Sequence, residues 1–213
     1  MPRLISVTFA LMAPFILGGW LLILGASGAA SESDLVFEVA IPDMVQGAED
    51  ARVTVIEYAS FTCPHCASFH AGTYKQLKKN YIDTGKVKFV FREVYFDKVG
   101  VWSSLIARCG GPERFFGIAD LIFKGQKEWA RAGSDVAVAN ELRKIGRLAG
   151  LDGDTLENCL TDSDKITALV GWFKGNTARD KISSTPSFLI NGQKYASMSY
   201  DELAALIEEQ LAK

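Results

Sequence analysis

Val53-Thr54-Val55-Ile56-Glu57-Tyr58 leads through Ala59-Ser60-Phe61-Thr62 into Cys63-Pro64-His65-Cys66, and this junction decides how the chain is read. Apart from Glu57, the first six residues are β-branched or aromatic, the pattern of a buried strand. Beyond Cys66, Phe69, Thr73, Leu77 and Tyr81 recur at helical spacing as far as Gly85. A C-x-x-C pair where a strand meets a helix places both thiols in the first helical turn, Cys63 exposed at the tip and Cys66 behind it. That spacing lets them close a small disulfide ring. Pro64 suits the first helical position, where its missing N–H is no loss. Unpaired backbone N–H groups and the positive end of the helix favour a thiolate on Cys63, and His65 adds a donor or a positive charge beside it. A stabilised thiolate makes the disulfide easier to reduce, so such a pair oxidises other thiols.

Two other uses of C-x-x-C compete with this one. A zinc site takes about four ligands; Cys63, Cys66 and His70 supply three, and a fourth has to come from Cys109. Covalent haem attachment needs His directly after the second Cys, and Ala67 stands there. No metal or other cofactor is assigned.

The 213 residues suffice for one domain, or for one domain with an insertion. A net charge of -2, with no Lys/Arg cluster beyond Lys78-Lys79, leaves no electrostatic footprint for nucleic acid. Residues 1–30 read as a targeting segment: Arg3, an apolar run over 4–24, and the small residues Ser27-Gly28-Ala29-Ala30. The run is longer than the usual ~7–15 residue signal core and approaches the ~20 that span a bilayer, so it reads as a signal peptide or an N-terminal anchor. Either way the folded part is expected to be periplasmic or otherwise extracytoplasmic, where disulfides persist. All four cysteines lie in that part. The C-x-x-C loop makes Cys63–Cys66 the first bond and leaves Cys109 to pair with Cys159 as a structural disulfide; two separate buried thiols are the alternative.

Along the chain, Leu35 to Ile41 alternates as an edge strand that Pro42 ends, and Val87 to Phe96 reads as a second central strand. From about Asp97 to Asp162 the pattern is helical, and a longer helix spans about Asp164 to Ile182. Ser187-Phe188-Leu189-Ile190 and Gln193-Lys194-Tyr195 flank Asn191-Gly192, the strongest two-residue hairpin signal. Ser199-Tyr200-Asp201-Glu202 is a capping box that opens a final helix.

The order β, β, α, β, helical block, α, ββ, α, with Cys63-Pro64-His65-Cys66 at the first β-to-α turn and Thr185-Pro186 before the hairpin, resembles the α/β thioredoxin fold. With its inserted helical domain it is similar to the DsbA family of exported thiol oxidoreductases. The resemblance covers roughly Gly47 to Lys213; with the leader over 1–30 set apart, the expected division is a thioredoxin-fold domain over 35–96 and 164–213 and an inserted helical domain over 97–163. Within it, Cys63 is the nucleophile and Cys66 resolves the mixed disulfide. Pro186 corresponds to the family's cis-proline, and Thr185 offers its backbone to an extended substrate strand. Glu57, six residues before Cys63, matches the acid beneath the disulfide, which takes or relays the proton of Cys66; Lys88 and Arg92 both stand as candidates for its basic partner. Cys109 and Cys159 resemble the variant with an extra disulfide in the insertion. The resemblance implies a monomeric oxidase acting on reduced, unfolded exported polypeptides and reoxidised by a quinone-linked, DsbB-like membrane partner. A reductase or isomerase of the same fold, and a copper- or zinc-binding carrier, are the competing readings.

Overall fold

The computed structural model describes residues 40–213, so the expected leader and most of the expected first strand lie outside the described residues. Ala40 and Ile41 are not in a strand. Beyond Pro42, β1 (Met44–Gln46) pairs antiparallel with β3 (Val87–Glu93), Met44 opposite Phe91. Two features fix it there. Met44 is buried, and Gly47 turns the chain with φ +97° so close to the sheet that a Cβ would sit 2.3 Å from the Val87 carbonyl oxygen.

β2 (Val53–Ala59) is the middle strand of five, in the order β1-β3-β2-β4-β5. It runs parallel to β3 and antiparallel to β4 (Ser187–Ile190), with β5 (Gln193–Ala196) outside β4. Being covered on both faces, β2 carries an almost continuous apolar run. Asn191 and Gly192 both take positive φ, as the two-residue hairpin requires. β3 stops at Glu93, short of the expected Phe96: Ala59 opposite Glu93 is the last residue of β2, Val94 N–H makes one more bond to the Ala59 carbonyl (2.8 Å), and Phe96 is 62% exposed.

The helix after the C-x-x-C pair is not continuous. α1 (Pro64–Ala71) breaks at Gly72, whose φ −128° and ψ −79° leave the helical region, before α2 (Thr73–Leu77) runs into a π-helical turn, Lys78–Ile82. Glycine is the residue that tolerates such a break.

Five helices follow β3: α3 (Lys98–Cys109), α4 (Pro112–Lys124), α5 (Gln126–Trp129), α6 (Asp135–Leu148) and α7 (Gly153–Thr161). α8 (Ser163–Arg179) then returns the chain to β4, and α9 (Tyr200–Leu211) closes it, opened by the Ser199/Glu202 capping box. The inserted helices share their core with the sheet: Phe115, Ile118, Ile122, Phe123 and Trp129 pack in one buried cluster with Phe61, Phe91 and Phe188. At roughly 1.5–3 kcal/mol per fully buried large apolar side chain, this cluster fixes α4 and α5 firmly against the loop after β2. Cys109 at the end of α3 and Cys159 in α7 are disulfide-bonded, with Cα atoms 5.8 Å apart.

Candidate active site

The site lies where the C-terminal end of β2 meets α1. Ser60 and Thr62 hydroxyls bond each other (2.9 Å), and the Cys63 N–H donates to the Ser60 carbonyl (3.1 Å), which folds the turn that delivers Cys63 to the helix N-cap. Pro64 occupies the first turn, as its fixed φ favours. Cys63 is less open than a tip position suggests. It is 8% exposed, with the Thr185 carbonyl beside its sulfur, and Cys66 is fully buried. The Thr185–Pro186 peptide bond is cis, and Cys63 Sγ lies 3.4 Å from the Thr185 carbonyl oxygen, to which it donates only when protonated.

Both cysteines are free thiols, and their environments separate them. Cys63 is lowered from 9.0 to about 5, chiefly because the Cys66 thiol donates to its sulfur. Burial opposes that shift, while the Thr185 side chain and the backbone N–H groups of Cys66 and His65 reinforce it. Cys66 is pushed strongly upward, first by the bond it donates to Cys63, then by burial and by the negative Glu57. At neutral pH the pair is therefore a thiolate beside a thiol. The His65 side chain is exposed; its backbone N–H is the part that faces Cys63.

Glu57 is completely buried on β2. Its partner is neither Lys88 nor Arg92 but His70, with Nε2 2.9 Å from Oε2 of Glu57. The register explains the correction. Glu57 stands opposite Phe91, whereas Lys88 stands opposite Thr54 and Arg92 opposite Tyr58, so both bases project from the other face. There Lys88 pairs with Glu49, and Arg92 with Asp43 (2.7 Å) and Asp180 (3.1 Å). His70, weighed above as a zinc donor, is turned into this carboxylate contact. Among the described residues no group of three His, Cys, Asp or Glu side chains is arranged to hold a metal ion.

Sequence reasoning missed the contact of His70 with Glu57 and missed Gln126 altogether. His70 had a signal, since it lies four residues after Cys66 and so on the same helical face. Gln126 had none: from α5 its side-chain amide donates to the carbonyl oxygens of Phe61 (2.7 Å) and Cys63 (3.0 Å).

The family model described as thioredoxin matches residues 40–209. A Rickettsia bellii protein carrying the name protein-disulfide oxidoreductase is 36% identical over 183 residues, 83% of this chain and 68% of the relative. Disulfide bond formation protein D of Bacillus subtilis is 29% identical over 178 residues, 78% of this chain and 76% of the relative. The crystal structure of Wolbachia pipientis alpha-DsbA1 superposes with a TM-score of 0.75 at 25% identity, covering 81% of this chain and 93% of that one. Against several Rickettsia relatives the chain spans 63–68% of their length. With two electronically distinct thiols at the head of α1 and a cis-proline facing them, the chain belongs to the thioredoxin superfamily and, within it, to the DsbA-like thiol–disulfide oxidoreductases.

Proposed function

We propose that this enzyme works in the oxidising direction, donating the Cys63–Cys66 disulfide to reduced, unfolded polypeptides outside the cytoplasmic membrane. The observation that carries the reading is the Cys63 thiolate, held near 5 by the Cys66 thiol, the Thr185 side chain and two backbone N–H groups. A reduced form stabilised in this way makes the disulfide a strong oxidant.

In this reading a substrate thiolate attacks Cys63 and displaces Cys66; a second substrate thiolate then attacks the substrate sulfur of the mixed disulfide and releases Cys63. The cis Thr185-Pro186 bond presents the backbone of Thr185 beside Cys63, where an extended substrate strand can pair without its side chains being read. Pro64 and the His65 N–H shape the helix start, and Glu57 manages the proton of Cys66. Cys109–Cys159 serves as a structural staple. The protein acts as a monomer and is reoxidised by a quinone-linked membrane partner, with no cofactor of its own.

The test is oxidation of a reduced, unfolded two-cysteine protein by stoichiometric oxidised enzyme. Cys63→Ser is expected to abolish transfer and Cys66→Ala to accumulate an enzyme–substrate mixed disulfide detectable by mass. Transfer by Cys63→Ser, or no adduct with Cys66→Ala, would overturn the assignment.

A further inference from the structure

Disulfide donation moves a proton as well as electrons. When a substrate thiolate attacks Cys63 Sγ, the substrate–Cys63 bond forms, the Cys63–Cys66 bond breaks, and Cys66 leaves with the electron pair. The second attack oxidises the substrate by two electrons in all and frees Cys63, which stays a thiolate at neutral pH. Cys66 must end as a thiol, so a proton has to reach a sulfur that is fully buried.

A polar route leads there. The Glu57 carboxylate is near enough to Cys66 to push its thiol upward, and Oε1 of Glu57 is buried without a hydrogen-bond partner among the described residues. Oε2 meets His70 Nε2 at 2.9 Å. His70, itself 4% exposed, then lines a small cleft between α1 and α4, about 50 Å³ in volume, rimmed by the exposed residues Ala71, Lys75 and Lys124. We propose that His70 is a positioning residue that orients Glu57 and passes the proton between its carboxylate and this cleft. The inference rests on Glu57 as the proton partner of Cys66.

The surroundings of the ring suit that task. Phe123 stacks on it (centroids 4.3 Å apart, planes 18° apart), Tyr74 lies 4.6 Å away, and Phe91 meets it edge-on at 5.7 Å. These contacts hold the ring plane while leaving one nitrogen toward Glu57. A fixed imidazole can accept a proton on one nitrogen and release one from the other without turning. The titratable and charged groups around it are Cys66 on its own helix, Glu57 from β2, Tyr74 and Lys75 from α2, and the Asp120–Lys124 pair (2.8 Å) from α4. That pair is self-neutralised, so the buried charge facing the ring is Glu57.

The experiment follows conversion of oxidised to reduced enzyme by a two-cysteine peptide across pH, for wild type, His70→Gln, Glu57→Gln and the double variant. His70→Gln is expected to slow the step at least about tenfold, less than the ~10²–10⁴ of a group acting directly on the reacting atoms, and to remove an inflection from the pH profile. The thiolate absorbance midpoint of Cys63 should not move. Because the two residues act in series, the double variant should be no slower than the slower single one. A wild-type rate and profile in His70→Gln, or slowdowns that multiply, would overturn the relay. A wild-type rate in Glu57→Gln would instead remove the Glu57 reading itself. Should His70→Gln not fold, the wild-type step in mixtures of H2O and D2O decides: a curved dependence, reporting more than one proton in flight, is expected, and a linear or absent one contradicts the relay.

Discussion

Gln126 Nε2 donates to the carbonyl oxygen of Cys63 at 3.0 Å, so a side chain of the inserted helices holds the turn that carries this cysteine. The same amide donates to the Phe61 carbonyl at 2.7 Å, and Gln126 is itself buried. The Cys63 carbonyl also accepts the first helical bond, from Ala67 N–H at 3.2 Å. The insertion therefore reaches the active-site backbone directly.

Gln126→Ala strands the buried Phe61 carbonyl, while the Cys63 carbonyl keeps Ala67 N–H, and is expected to cost about 1–3 kcal/mol in denaturant unfolding. It should also slow substrate oxidation, because the turn that aims Cys63 loses a strut. Gln126→Glu is the harsher variant, since a carboxylate offers acceptors where donors are needed. Wild-type stability and rate in both variants would show that the two bonds do nothing for the turn.

The Cys63 thiolate makes a prediction about pH. Its folded value, about 5, lies below the ordinary thiol value of 9.0. The stabilisation it gives the reduced protein is thus fully present above the ordinary value, declines as pH falls, and is lost once pH drops through about 5. Thiolate absorbance of the reduced protein should titrate with a midpoint near 5, and the stability advantage of the reduced over the oxidised form should shrink across the same interval. His65→Pro, which removes a backbone N–H from the thiolate, should raise the midpoint more than His65→Ala, which keeps it. The reverse order would return the role to the imidazole.

The Cys109–Cys159 bond closes a loop with a sequence separation of 50, for which chain entropy predicts a contribution of about 4 kcal/mol. Cys109→Ala combined with Cys159→Ala should lower stability by an amount of that order and leave the Cys63 thiolate midpoint unchanged. Alkylation mapping after mild reduction should find Cys63 and Cys66 open first. Loss of oxidase activity without loss of stability would assign the second pair a redox role instead.

Much of the site was legible because it depends on local pattern. The run Val53 to Tyr58, the C-x-x-C spacing, Asn191-Gly192 and the Ser199/Glu202 box each specify a conformation within a few residues. What escaped depended on register and tertiary contact. Lys88 and Arg92 were plausible partners for Glu57 only while the alignment of β2 with β3 was open; once Glu57 faces Phe91, both are on the wrong side. The pairing of Met44 to Gln46 with β3 carried no signal, because three residues are too few to show an alternation. Gln126 lies in a short helix whose own pattern says nothing of the carbonyl groups it meets 65 and 63 residues upstream.

The central claim is that this geometry makes the Cys63–Cys66 disulfide a donor. Equilibration of the pair with a glutathione redox buffer, read by quantitative alkylation, measures that most directly. A potential more oxidising than ~−180 mV, toward the ~−120 mV of DsbA, is the predicted result; a value near the ~−270 mV of thioredoxin would contradict it and make the enzyme a reductase.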